Sequence, residues 1–177
     1  SIKEKLDGMK SLSPSAINRY IKCPLMFFYQ YVASIKEPDC EDDVVDNRMF
    51  GNIFHKSAQL IYDDIMSHNN GRIEKASIQK YLNTKGLLES IVDRAFNEEL
   101  FKVKNSMRSP YYNGLHLINR KVLIEYLRQL LHSDQRTAPF EMLALEDAVY
   151  TQIAFETEDN NVRKIRIGGI IDRLDRV

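Results

Sequence analysis

The sequence has no tryptophan, two cysteines, five prolines and seven glycines, and no excess of charge of either sign. Two cysteines in 177 residues cannot build the disulfide framework on which small secreted domains depend. The N-terminus lacks the ordered charged, apolar and small-residue regions of a signal peptide, so a reducing, cytosolic setting is expected. No apolar run approaches the ~20 residues that a membrane-spanning helix requires, and no membrane partner is expected. Lys+Arg and Asp+Glu stand at 25 each, so no global basic surface advertises nucleic acid and any such surface has to be local. There is no internal repeat, low-complexity tract or interdomain linker.

What is present is a hydrophobic fraction of 44%, enough to cover an ordinary core, in a chain of one-domain size. The reading is a single domain over residues 1–177, helical from 12 to 133 and stranded from 140 to 177. SLSPSAINRYIK predicts a helix capped by Ser13, with Pro14 in its first turn. Cys23-Pro24 breaks it and starts a second helix, Leu25 to about Ala33, whose apolar surface suits an element wedged between others. An acidic linker, KEPDCEDDVVD, follows.

Residues 45–66 read as a long helix in which Phe50, Phe54, Ser57 and Ile61 mark one face. Gly51, His55, Ala58 and Tyr62 mark the adjacent face, where the glycine would let another backbone come close. Further helices fit 74–84, 87–104 and 114–133. Beyond Pro139 the character changes to one or two strands in FEMLALEDAVYTQIAFE and another in VRKIRIGGIIDRLDRV, with TEDNN as the turn between them. The last strand pattern runs to Val177 without a turn signal, which reads as a chain cut before its sheet is finished.

Two places could carry chemistry. In GGIIDRLD, Gly168 and Gly169 weaken the strand and permit close backbone approach. Period-two alternation puts Asp172 on the face of Ile170 and Leu174. That face is expected to be buried, where an acid is costly unless it binds a cation or accepts strong hydrogen bonds, which favours a ligand role for Asp172. An alternating charged face on an edge strand is the plainer reading of the same residues. The second place is His55, one helical turn after Gly51; a lone helical histidine is also an ordinary hydrogen bonder.

The ordered set SPSAINRYIKCPLMFFYQY, GNIFH and GGIIDRLD resembles the nuclease domain of the PD-(D/E)XK superfamily, in its RecB/AddB exonuclease branch. The resemblance spans residues 12–177. It implies an α/β fold: a helical N-terminal block packed on an incomplete restriction-endonuclease-like mixed sheet. It implies further that His55 and Asp172 match the family's metal-coordinating histidine and first catalytic carboxylate, serving one or two Mg²⁺ (or Mn²⁺) ions. The family's next strand carries Asp or Glu, any residue, then Lys; no lysine here has an acid two positions before it, and the later Gln-x-x-x-Tyr element is absent too.

By the same resemblance, Cys23 matches a position that holds a 4Fe–4S cluster in some AddB-like nucleases, with three further cysteines that this sequence does not contain. Simple burial is the alternative for Cys23, and Cys40 lacks the family's spacing. Arg19, Lys22 and Lys56 are the basic residues nearest the matched motifs, suited to sequence-independent phosphate contacts. Glu146 could reach the site if the hairpin register allows, but a solvated strand face is the better reading of Glu146 and Asp147. The implied function is a metal-dependent DNA exonuclease domain of a repair or recombination helicase–nuclease, acting on a single-stranded end beside a helicase subunit or domain, and inactive as this fragment. A non-catalytic DNA-binding or structural member of the fold is the alternative, and an all-helical interaction module is a third reading.

Overall fold

The computed structural model describes residues 11–35, 45–69, 71–103, 109–156 and 161–177. The first ten residues, most of the acidic linker with Cys40, and most of the TEDNN turn fall outside these residues. The described elements are α1 (Pro14–Lys22), α2 (Pro24–Phe27) continued by a π turn (Phe28–Val32), α3 (Asn47–Asn69), β1 (Arg72–Ile73), α4 (Lys75–Asn83), α5 (Leu87–Glu99), α6 (Gly114–Thr137), β2 (Phe140–Glu156) and β3 (Val162–Arg176). This is a mixed α/β fold, with one antiparallel sheet in the order β1-β2-β3. The chain divides into two compact units, with boundaries inside both long strands, after Leu145 and after Ile171.

The helical unit contains α3 to α6, β1 and the strand segments 140–145 and 172–176. Along α3, Ile53, Ser57, Ile61 and Ile65 recur every four residues and are buried, so one stripe of the helix faces the core. Ser57 is tolerated there because its hydroxyl donates to the Ile53 carbonyl at 2.7 Å. Leu88, Val92 and Phe96 of α5 and Leu123, Leu127 and Leu131 of α6 close the same core. Each such side chain contributes about 1.5–3 kcal/mol by leaving water. Asn113 caps α6 by accepting from the His116 backbone N–H at 2.8 Å.

A buried acid ties α5 to α6. The Asp93 carboxylate accepts from Arg120 Nε at 2.5 Å, Ser109 Oγ at 2.7 Å and Tyr112 Oη at 2.7 Å. Burial alone would raise its pKa, but these donors prevail and hold the carboxyl below the usual carboxylate range.

The expected helices are present. The sequence reading missed β1, two residues paired antiparallel with β2 through Arg72↔Glu141 and Ile73↔Phe140. A second expectation fails at Gly51: a Cβ built there meets nothing within 4 Å. The glycine therefore serves no close approach by another backbone among the described residues.

The hairpin unit contains α1, α2, the π turn and strand segments 146–156 and 162–171. Ser13 caps α1 as expected, its Oγ accepting from the Ala16 N–H at 3.1 Å. Cys23 ends the helix in extended geometry, and Pro24 opens α2. The apolar second helix is not wedged: Leu25, Met26 and Tyr29 are all more than two-fifths exposed, and Val32 is its buried anchor. Tyr20, Phe27 and Tyr31 instead pack ring on ring, with centroids 5.5 and 5.3 Å apart.

Leu12 joins the edge of β3 in a parallel bridge to Ile167, donating to the Arg166 carbonyl and accepting from the Gly168 N–H. Gly168 has to be glycine, because a Cβ there would lie 2.1 Å from the Val149 carbonyl oxygen. The close approach expected of the Gly168-Gly169 pair is thus real and belongs to the hairpin itself.

Candidate metal centre

His55 lies in the third turn of α3 and Asp172 begins the part of β3 that belongs to the helical unit. The fold brings His55 Nδ1 and Asp172 Oδ1 to 3.8 Å, with the side chains 47% and 75% exposed. That separation is too long for a hydrogen bond. Two ligand atoms about 2.1 Å from one octahedral cation stand about 3.0 Å apart when adjacent and about 4.2 Å when opposite, so 3.8 Å spans a cation's width. An exposed His–Asp ion pair without a cation contributes only about 0–1 kcal/mol, so stability alone gives the pair little reason to exist.

The route by which Asp172 reaches the surface differs from the sequence argument. Alternation holds, but the face shared with Ile170 and Leu174 is the exposed one, those residues being 68% and 46% exposed. The opposite face, carrying Arg173 and Asp175, is the one turned inward, at 22% and 24% side-chain exposure. Asp172 therefore pays no burial penalty, and its suitability as a ligand rests on its partner across the gap.

Neighbouring cations are engaged elsewhere. Lys56, next to His55, places Nζ 3.3 Å from a Glu98 carboxylate, which Arg94 also holds at 2.9 Å. Burial would raise the Glu98 pKa, but hydrogen bonds from Arg94 and Lys56 bring it below its usual value. Arg173 is paired with Asp134 at 2.6 Å and with Asp175 at 2.7 Å. No bare positive charge from these two side chains competes with a cation at the pair.

The donor set fits a divalent ion. A carboxylate and an imidazole, open to water that can fill the remaining positions, suit Mn²⁺ better than Mg²⁺, which favours oxygen throughout. Both residues singled out in the sequence are therefore adjacent in space.

The other sequence candidates lie in the hairpin unit, apart from Lys56. Arg19 and Lys22 occupy the last turn of α1, Lys22 exposed and Arg19 partly so. Cys23 is a free, half-buried thiol whose backbone N–H donates to the Arg19 carbonyl at 2.9 Å. Asp147 Oδ1 accepts from the Ala148 N–H at 2.8 Å, and Glu146 takes a left-handed backbone, φ 49°, where β2 passes from one unit to the other. Sequence reasoning missed the inward side of β3, where Arg173 meets Asp134 and Tyr62; only contacts distant in sequence mark it.

Residues 11–177 match the family model of the PD-(D/E)XK nuclease superfamily, and the chain belongs to that superfamily. No individual curated protein matches the sequence. Membership carries a nuclease-type function, generally metal-dependent, and with it DNA binding. It also removes the reading of an all-helical interaction module. No helix among the described residues is long and apolar enough to cross a membrane.

Proposed function

We propose that this chain belongs to a metal-dependent DNA exonuclease domain of the RecB/AddB type, with His55 and Asp172 as metal ligands, working beside a helicase subunit or domain in DNA repair or recombination. The observation that carries the reading is the 3.8 Å approach of His55 and Asp172 inside a chain of the nuclease superfamily. When bound, Mg²⁺ or Mn²⁺ supplies charge that polarises a scissile phosphate and eases deprotonation of water.

The chain's own residues have narrower tasks. Asp172 offers a carboxylate without desolvation cost, and His55 offers a second donor from a helix locked into the core through Ile53 and Ser57. Arg19 and Lys22 suit phosphate contacts that position a strand without reading its sequence. Lys56 is the weaker choice for such a contact, because Glu98 already holds its ammonium. Cys23 as one ligand of a 4Fe–4S cluster depends on cysteines that the 177 residues do not supply.

The superfamily's Asp/Glu-x-Lys element is not found in these 177 residues. His55 and Asp172 by themselves cannot position metal, water and leaving group together. The expected result is weak metal binding and no hydrolysis of single-stranded DNA by the purified chain. Mn²⁺-dependent degradation that Asp172→Ala abolishes would overturn the expected inactivity while supporting the ligand assignment. The missing lysine also favours a second reading, a non-catalytic DNA-binding or structural member of the fold. DNA binding that is unaffected by Mn²⁺, Asp172→Ala or His55→Ala would favour that reading.

A further inference from the structure

Alternation along β3 sends Arg173 to the side opposite Asp172, and there it enters a compact set of contacts within the helical unit. Its Nη1 lies 2.6 Å from Asp134 Oδ2 on α6, and its Nε and Nη2 lie 2.7 Å from Asp175 Oδ2. Its guanidinium carbon lies 5.1 Å from the ring centre of Tyr62 on α3 and 4.9 Å from that of Phe140 on β2. Tyr62 in turn donates its hydroxyl to the same Asp134 oxygen. Burial would lower the Arg173 pKa, but its bonds to Asp175 and Asp134 raise it, so the charge is permanent. Burial, reinforced by Asp134, drives the Tyr62 phenol upward, so it remains a neutral donor.

We infer that Arg173 is a positioning residue for the metal pair: held by Asp134 and Asp175 and laid against Tyr62, it fixes β3 on α3 so that Asp172 stands opposite His55. The inference rests on the proposed ligand role of that pair. Tyr62 follows His55 by seven positions, two helical turns, so both project on the same side of α3. Arg173 is the residue next to Asp172. Fixing Arg173 against Tyr62 therefore sets the spacing between Asp172 and His55. The planar guanidinium can serve two carboxylates and a ring face together; a lysine ammonium is a point charge and cannot.

The test uses the 177-residue chain with Mn²⁺ as the probe, and a readout that needs no metal. In metal-free protein, NMR cross-peaks between the His55 ring protons and the Asp172 side chain report their proximity. Arg173→Met should lose these cross-peaks and weaken Mn²⁺ affinity about tenfold, the low end for losing a partner that orients a ligand. Arg173→Lys should fall between Met and wild type in both measurements, a graded rescue that a purely stabilising role would show only in the melting temperature. A folded Arg173→Met protein with unchanged cross-peaks and Mn²⁺ affinity would overturn the inference. Should the Met variant fail to fold, Arg173→Lys decides: unchanged cross-peaks beside a lowered melting temperature would overturn it. If Asp172→Ala leaves Mn²⁺ binding intact, the ligand reading fails, and the metal-free cross-peaks still decide whether Arg173 positions Asp172.

Discussion

Arg173 and Asp134 meet at 2.6 Å on the inward side of β3, one residue from an aspartate that points the other way into solvent. This contact joins the last strand to α6, and through the Tyr62 hydroxyl to α3, the helix that carries His55. Breaking a buried pair by removing one partner typically costs 3–5 kcal/mol, and Asp134 is only 11% exposed in its side chain. Asp134→Ala should thus lower stability by about 3 kcal/mol, measured by urea unfolding, because it leaves Arg173 and Tyr62 without their shared acceptor. A loss below about 1 kcal/mol would place the pair among ordinary surface ion pairs.

Gly168 and Gly169 are neighbours with opposite tolerance. A Cβ on Gly168 would sit 2.1 Å from a backbone oxygen that cannot swing aside, whereas one on Gly169 meets Pro14 Cδ at 3.4 Å. Gly168→Ala is expected to destabilise the hairpin by about 3 kcal/mol, the upper end for overpacking, while Gly169→Ala stays within about 1 kcal/mol of wild type. Thermal melting of both variants checks the contrast, and equal effects would contradict it.

Asp93 gives the fold a pH dependence of defined sign. Its folded pKa is depressed, so its stabilising effect is complete above the ordinary carboxylate value of about 4 and is lost as pH falls through the lower folded value. Asp93→Asn should cost about 3 kcal/mol at neutral pH, since it leaves the Arg120 charge without its acid. The variant should also lose less stability than wild type on acidification below that value. Denaturant midpoints measured across the acidic range test this; parallel pH profiles would contradict it.

Three basic residues separate into two groups by their partners. If Arg19 and Lys22 contact phosphates, each change to alanine should weaken single-stranded DNA binding and flatten the log K against log salt slope by about 0.7. Lys56→Ala should leave the slope unchanged, because that ammonium is committed to Glu98. Fluorescence anisotropy with labelled oligothymidylate over a potassium chloride series separates the two groups.

Much of the architecture is legible in the sequence because its signals are local. Ser13 as cap, the Cys23-Pro24 break and the change to strands after Pro139 each depend on a few adjacent residues, and each is found. The two-residue strand β1 has no period to detect, and only its pairing with Glu141 and Phe140 defines it. Alternation correctly separated Asp172 from Arg173. The expectation that the Asp172 face is the buried one fails, because both faces carry apolar and charged residues: Ile170 and Leu174 on one, Ile171 beside Arg173 and Asp175 on the other. The choice is made by Asp134 and Tyr62, far off in sequence, which draw Arg173 inward and leave Asp172 outside. Gly51 misled in the opposite sense, since its spacing from His55 suggested a close backbone approach that no described residue makes.

The central claim is that His55 and Asp172 bind one metal ion together. Mn²⁺ titration followed by electron paramagnetic resonance, applied to wild type, His55→Ala, Asp172→Ala and the double variant, tests it most directly. The prediction is weak, saturable binding by wild type, a loss with each single change, and a double variant scarcely worse than Asp172→Ala, since ligands of one ion are not additive. Equal Mn²⁺ binding by all four proteins would contradict the account.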